Sequence, residues 1–257
     1  MLDENAIKTA LVKRLHQKGF FDEQAIFVDE LAVGCERRAD LVVANGKLSA
    51  FEIKSDLDRL DRLVGQLTTY EKFFDKVYLV CTEKHVDQAL DLASPRVEVW
   101  QVKARKDGSV NWKICKRGQS ALITDHSALL GFATRKDIVR FIRENRLSFS
   151  PKASRFELLE YAQRIPVEKT RGFALSLIKS KYAEYHASLI GKLESGSDFS
   201  LAASAARIAR PGAELPQKRE PRPRAGFKSP PRRVLDVSKG WLGRTTSGPI
   251  YVIPKGG

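Results

Sequence analysis

Apolar residues recur at helical spacing from Ile7 through Ala10 and Leu11 to Leu15, and Asp3 stands at a capping position. The chain therefore opens with a helix running to about Lys18, with Gly19 as its stop. The period then shortens to two. Strands are predicted at Ala25–Val33, Ala39–Ala44 and Leu48–Lys54, the last two joined through Asn45-Gly46, a strong hairpin signal. Helical spacing returns over about Leu57–Phe74, with Leu60, Leu63, Val64, Leu67 and Phe74 facing inward. Val77–Cys81 is nearly all apolar, the pattern of a strand covered on both faces. His85–Ala93 reads as a helix. Val97–Val102 and Val110–Ile114 flank Lys106-Asp107-Gly108 as a final hairpin, with Trp100 and Trp112 available for cross-strand packing.

This α/β pattern fills residues 1–118. Residues 119–193 read as helical. Thr134-Arg135-Lys136-Asp137 and Ser154-Arg155-Phe156-Glu157 each begin a helix with a capping box, the first with Asp in place of Glu. The second of these helices ends before Pro166. A longer one from about Val167 to Leu193 carries Phe173, Leu177, Tyr182 and Leu189. Together the three form a small bundle or a helix-turn-helix reader. Residues 194–257 lose all periodicity and are rich in Gly, Pro, Ser and Arg, with 12 Lys and Arg against 5 Asp and Glu. Such a segment buries too little apolar surface to offset its ordering entropy and is expected to be a disordered basic tail. Trp241, Ile250, Tyr251 and Ile253 break that pattern and suggest a docking segment for a protein partner.

Charge narrows the class. The formal net charge of +14 over 257 residues points to a polyanionic partner; half of it lies in that tail, which either tethers nucleic acid without sequence specificity or is a solvated linker or tail. No basic amphipathic helix with large exposed apolar residues supports a membrane surface, and no run is long enough to span a bilayer. Cys35, Cys81 and Cys115 make neither a CxxC pair nor a disulfide framework, and no secretory segment opens the chain, so a cytoplasmic, reduced protein is expected. His16, His85, His126 and His186 show no zinc-ligand spacing, and there is no phosphate-binding GxxxxGK[ST] loop.

Candidate chemistry comes from charge placed where strands should be apolar. Strand alternation puts Asp40 on one face with Val42, and Glu52 on one face with Lys54. The hairpin brings Asp40 beside Glu52 and Lys54. Two carboxylates held on buried strands call for compensation by a cation. Glu4 lies at the edge of the first helix's buried stripe. It either complements the helix N-terminus or adds a third carboxylate over the sheet. Three carboxylates plus the carbonyl of Ile53 suit Mg²⁺, with Mn²⁺ able to substitute. The plain alternative is an Arg38–Asp40 ion pair on an edge strand and a solvated Glu52–Lys54 face.

The order helix with Glu4, strand, strand with Asp40, turn, strand with Glu52-Ile53-Lys54, helix resembles the PD-(D/E)xK nuclease superfamily, with its restriction-endonuclease-like αβββαβ core and mixed sheet. The resemblance covers about residues 1–102. It implies a metal-dependent nuclease hydrolysing DNA phosphodiester bonds, RNA not being excluded. Mg²⁺ would be held by Glu4, Asp40, Glu52 and Ile53, with Asp40, Glu52 and Lys54 catalytic. Gln66 and Tyr70, four residues apart, look like the Gln-x-x-x-Tyr element of exonuclease-like members and would contact substrate, with Arg59 and Arg62 on a nearby helical face. Ala39 departs from the nominal Pro before the motif Asp. Two other function classes stand beside this one: a non-cleaving nucleic-acid-binding module on the same fold, and a protein-interaction adaptor acting through the helical region and the tail.

Overall fold

The computed structural model describes residues 2–18, 25–34 and 37–195. These all fall in the first of two compact units, Met1–Leu215; the second, Pro216–Gly257, lies outside them. The expected basic tail with its Trp241 and Tyr251 segment, the Gly19 stop and Cys35 likewise fall outside the described residues.

Among the described residues six strands form one mixed sheet in sequence order: β1 (Ile26–Val33), β2 (Arg37–Ala44), β3 (Leu48–Lys54), β4 (Lys76–Thr82), β5 (Val97–Ala104) and β6 (Val110–Lys116). β1, β2 and β3 are antiparallel neighbours, β3, β4 and β5 run parallel, and β6 returns antiparallel to β5. The parallel pairs need crossovers, and α2 (Leu63–Phe73) and α3 (Val86–Leu92) supply them. Seven α-helices are present among the described residues, so the α/β class and the αβββαβ start read from the sequence both hold.

The sheet is covered on both faces. On one, α1 (Glu4–Gln17) sets Ile7, Leu11 and Leu15 against Phe27, Leu41, Phe51 and Val80. Its start is fixed by Asp3, whose carboxylate accepts from Ala6 N at 2.7 Å. On the other, α2 and α3 pack Leu67, Tyr70, Phe74 and Ala89 against Val42, Ala50, Leu79 and Val99. α4 (His126–Leu129), α5 (Arg135–Glu144), α6 (Arg155–Ala162) and α7 (Val167–Glu194) follow. Both expected capping boxes are formed, at Thr134 with Asp137 and at Ser154 with Glu157. α5, α6 and α7 share a small core of Ile138, Phe141, Ile142, Leu158 and Leu177. α7 then continues past the sheet: Ile178 and Tyr182 join the α2 face, Leu189 joins the α1 face, and His186 Nδ1 accepts from Phe27 N of edge strand β1 at 3.0 Å.

The second helix departs from its expected span. It begins at Leu63 rather than Leu57, because Asp58 accepts from both Ser55 N (2.7 Å) and Ser55 Oγ (2.5 Å) and folds residues 55–58 into a turn. Val64, expected inward, is half exposed.

The strand alternation also departs at one place that matters. In β1, Ile26 and Val28 face the α2 side, yet so do Leu31 and Val33, an odd step along a period of two. In β2, Val42 and Ala44 face that side, and so does Ala39. Each strand therefore slips by one position, and the slips match: Asp29↔Leu41 and Leu31↔Ala39 remain paired on either side. Between them stand Glu30, at φ +52°, and Asp40. Asp40 thus does not simply share the face of Val42, as regular alternation would have it. β5 shows no such slip: Val97 and Val99 face the α2 side and Trp100 and Val102 the α1 side in regular alternation, although its register against β6 shifts between Val99 and Trp100.

Candidate active site

Beside the matched slip lies a cleft of about 370 Å³ lined by Glu4, Glu30, Arg37, Arg38, Asp40, Glu52, Ile53, Lys54, Arg62 and Gln66. Each lining residue arrives for a local reason. Glu4 opens α1, while Glu30 and Asp40 occupy the slip. Glu52 and Lys54 point to the α2 side of β3, where Gln66 and Tyr70 of α2 meet them.

Glu52 is fully buried, and its carboxylate is gripped from three directions. Lys54 Nζ donates to Oε1 at 2.6 Å, Gln66 Nε2 donates to the same oxygen, and Tyr70 OH lies 2.8 Å from Oε2. The Tyr70 hydroxyl is also 2.5 Å from Arg38 O, so one phenol proton faces two acceptors. Asp40 Oδ2 accepts from Ile53 N at 2.7 Å, which ties the motif Asp to the backbone of the motif strand.

Burial first, and the neighbouring Glu52 charge second, push the Asp40 carboxyl well above the usual carboxylate range. Glu52 is raised mainly by burial, against the pull of Lys54 and the donated bonds of Lys54 and Tyr70. Burial alone would lower Lys54, but the Glu52 carboxylate outweighs it and keeps the ammonium charged. The cleft floor thus gathers carboxylates whose charged forms burial and mutual repulsion disfavour. A hard cation would relieve this: one carboxylate oxygen each from Glu4, Glu30 and Asp40 lies within 4.8 Å of the others. An all-oxygen donor set fits Mg²⁺, Mn²⁺ or Ca²⁺.

Glu30 was not singled out by the sequence reading, although its signal was there: Asp29-Glu30 interrupts an otherwise apolar strand. Lys8 was missed too. Its ammonium is nearly buried beneath the cleft, 2.9 Å from Asp29 Oδ1, 2.8 Å from Glu30 Oε1 and 3.5 Å from Glu4 Oε1. Asp29 is pushed up to about 6 by burial, with Lys8 opposing.

The arginines sort differently from their sequence placement. Arg38 pairs with Glu30 (3.2 Å) rather than with Asp40, and β2 is an interior strand; Glu52 and Lys54 are buried. The plain alternative of an edge-strand ion pair and a solvated face does not describe this structure. Arg62 lines the cleft, whereas Arg59 lies in the loop before α2, paired with Asp61 at 2.8 Å and highly exposed. Arg37 also reaches the cleft; its guanidinium lies over Gly65, where a Cβ would come within 2.9 Å of Nη2. Tyr70 is fully buried and holds Glu52, so it is not placed to touch a substrate. Gln66, at the cleft wall, holds Glu52 as well.

Among the described residues, no helix is long and apolar enough to cross a membrane. Two solved structures match parts of this chain at 14% identity. SPO1766, a protein of unknown function from Silicibacter pomeroyi, matches 59% of this chain and 99% of its own at a TM-score of 0.37. The SfsA protein of Pyrococcus furiosus, solved in complex with Ca²⁺, matches 45% of this chain and 63% of its own at a TM-score of 0.30. At those scores neither likeness carries an argument. In sequence, the chain is 31% identical over 201 residues to protein cII of Enterobacteria phage P4, covering 78% of this chain and 76% of that one. The family model described as bacteriophage P4 protein cII matches residues 1–200, and the chain belongs to that family.

Proposed function

We propose that the protein is a divalent-metal-dependent nuclease of the PD-(D/E)xK type, hydrolysing DNA phosphodiester bonds. The observation that carries this reading is the meeting, at one cleft, of Glu4, Glu30 and Asp40 with the buried Glu52–Lys54 pair, under a rim of Arg37, Arg38 and Arg62. Acids at the floor and guanidiniums at the rim suit a phosphodiester: the rim holds flanking phosphates, and the floor holds a cation. Glu4, Glu30 and Asp40 would hold that cation, with Glu52 and the Ile53 carbonyl adjoining. When bound, it supplies an activated water and charge neutralisation at the phosphoryl oxygens.

The remaining roles belong to the chain's own side chains. Lys54 keeps its proton through Glu52 and presents a fixed positive charge to oxygens that become more negative during attack. Gln66 and Tyr70 fix the orientation of Glu52. Ile53 N–H fixes that of Asp40. Holding these groups in place before substrate arrives removes reorganisation from the reaction.

The test is cleavage of linear, circular, single-stranded and double-stranded DNA with Mg²⁺ or Mn²⁺, with Glu52→Ala and Lys54→Ala in parallel. Metal-dependent cleavage lost in both variants supports the reading. Equal activity in the variants refutes it, and salt-sensitive DNA binding without cleavage would leave a binding module.

A further inference from the structure

A polyanionic substrate poses an electrostatic problem for this protein. Residues 1–118 hold 20 Lys and Arg against 19 Asp and Glu, so the part with the cleft is almost neutral. Residues 119–193 hold 13 against 7. The excess that could hold a polyanion within the described residues therefore sits in the helical part.

The structure sorts those cations. Arg155 is spent on Ala133 O and Leu130 O, Arg171 on Asp75, and Lys181 on Asp137, all internal contacts. What faces outward on α5 is a stripe, Lys136, Arg140 and Arg143, spaced four and three residues apart opposite the buried Ile138, Phe141 and Ile142. Arg146, exposed just past the helix end at φ +58°, adds a fourth cation nearby. Of the two acids of the helix, one is turned to internal partners and the other borders the stripe. Asp137 is held by the Thr134 cap and by Lys181, and Glu144 lies 3.8 Å from Arg140 on an exposed face. Two of the guanidiniums are already ordered by aromatic faces: Arg140 lies 5.4 Å from the Phe173 ring centre, and Arg143 5.7 Å from that of Phe149. Stacking of this kind removes rotamer freedom before any ligand binds. Lys136 and Arg146 make no side-chain ion pair among the described residues.

We propose that this stripe, Lys136–Arg140–Arg143–Arg146, is a sequence-independent binding site for the phosphate backbone of duplex DNA. The proposal takes its substrate class from the nuclease reading and adds the surface that would grip it. At a rise of about 1.5 Å per residue the helical positions Lys136 to Arg143 span roughly 10 Å, a row of fixed charge over a few phosphates of one strand, with Arg146 just beyond it. The neighbouring rings are covered by the arginines themselves, so the stripe offers charge rather than a stacking platform for unpaired bases.

The test measures fluorescence anisotropy of a duplex of roughly 20 base pairs, about two turns, over a series of salt concentrations. The full chain is used, with chelator present so that no cleavage occurs. Each phosphate contact contributes about −0.9 to the slope of log K against log salt, so Lys136→Gln/Arg140→Gln/Arg143→Gln/Arg146→Gln should flatten it by about 3 to 4. Arg146→Gln and Lys136→Gln alone, neither of which breaks an internal contact, should each flatten it by about 1 and keep the proposal testable if the fourfold variant misfolds. An unchanged slope overturns the proposal. So does the absence of duplex binding by the unmodified chain, a larger loss on single-stranded than on duplex DNA, or a loss seen only with anionic vesicles. Cleavage is scored separately on the unmodified chain with Mg²⁺. A flattened slope without cleavage keeps this site and removes the nuclease reading; cleavage with an unchanged slope does the reverse.

Discussion

Tyr70→Phe removes one oxygen and leaves the ring where it packs, 6.0 Å and edge-on to Phe74. The hydroxyl is buried, 2.8 Å from Glu52 Oε2 and 2.5 Å from Arg38 O. A hydrogen bond to a charged group contributes about 1.5–3 kcal/mol, and the single phenol proton is shared between Glu52 and Arg38 O, so the variant should be less stable by about 2 kcal/mol. The pH dependence has a definite sign. Tyr70 is one of the groups that lower Glu52 against the upward push of burial, so the variant's Glu52 lies higher still. A carboxyl raised in the folded state costs stability above its folded pKa, and that cost disappears as pH falls and the folded carboxyl takes up its proton. The destabilisation should therefore be largest on the alkaline side and shrink on acidification, and the acid limb of any metal-dependent cleavage should move to higher pH. Urea denaturation across a pH series reads the first, with the midpoint shifting at constant m-value. A loss below about 0.5 kcal/mol at alkaline pH, or one that grows on acidification, would refute the role given to this hydroxyl.

Three further outcomes follow from the same geometry. Asp40→Asn should raise the melting temperature in chelator at neutral pH, since it removes a carboxylate that burial and Glu52 disfavour while an amide oxygen can still accept from Ile53 N. If the cleft holds Mg²⁺ as proposed, the ion should stabilise the unmodified chain by about 2.7 kcal/mol at a hundredfold excess over Kd and leave this variant unchanged, as read by thermal shift with and without metal. Lys8→Met leaves the buried Asp29 without the cation that holds its carboxyl down to about 6, and should cost about 3–5 kcal/mol in urea denaturation at alkaline pH, less as pH falls towards about 6, because the variant's Asp29 lies higher and takes its proton first. Gly118→Ala would drive a Cβ to 2.4 Å from Glu98 N and 2.6 Å from Arg96 O, backbone that cannot step aside, and should cost about 1–3 kcal/mol by the same assay.

Most of the core could be read from periodicity, because each element buries a face whose spacing is short-range: the α1 stripe, the strands, both capping boxes and the long α7 lie close to where pattern alone put them. The start of α2 could not, because the Ser55–Asp58 turn competes with helix locally, and apolar spacing through Leu57 and Leu60 does not register that competition. In the cleft, Asp40, Glu52 and Lys54 stood out because charge in a strand is conspicuous. Glu30 and Lys8 did not. Glu30 enters the cleft only through a left-handed residue in mid-strand, and Lys8 becomes visible only when α1 is laid across β1. Arg59 shows the opposite failure: a helical face was drawn for a residue that lies in a loop.

The matched slip of β1 and β2 has a consequence for descent. Glu30 and Asp40 each occupy one extra place in strands whose pairing on both sides depends on the other's extra place. Deleting either residue alone would throw one strand out of step and turn its remaining side chains to the wrong face. Replacing either acid by a neutral residue leaves the pairing untouched. A lineage that gave up this chemistry would therefore substitute at these two positions far more readily than it would shorten the strands. A relative with a silent cleft should still carry the paired kink, a fossil of the backbone geometry after its charges have gone.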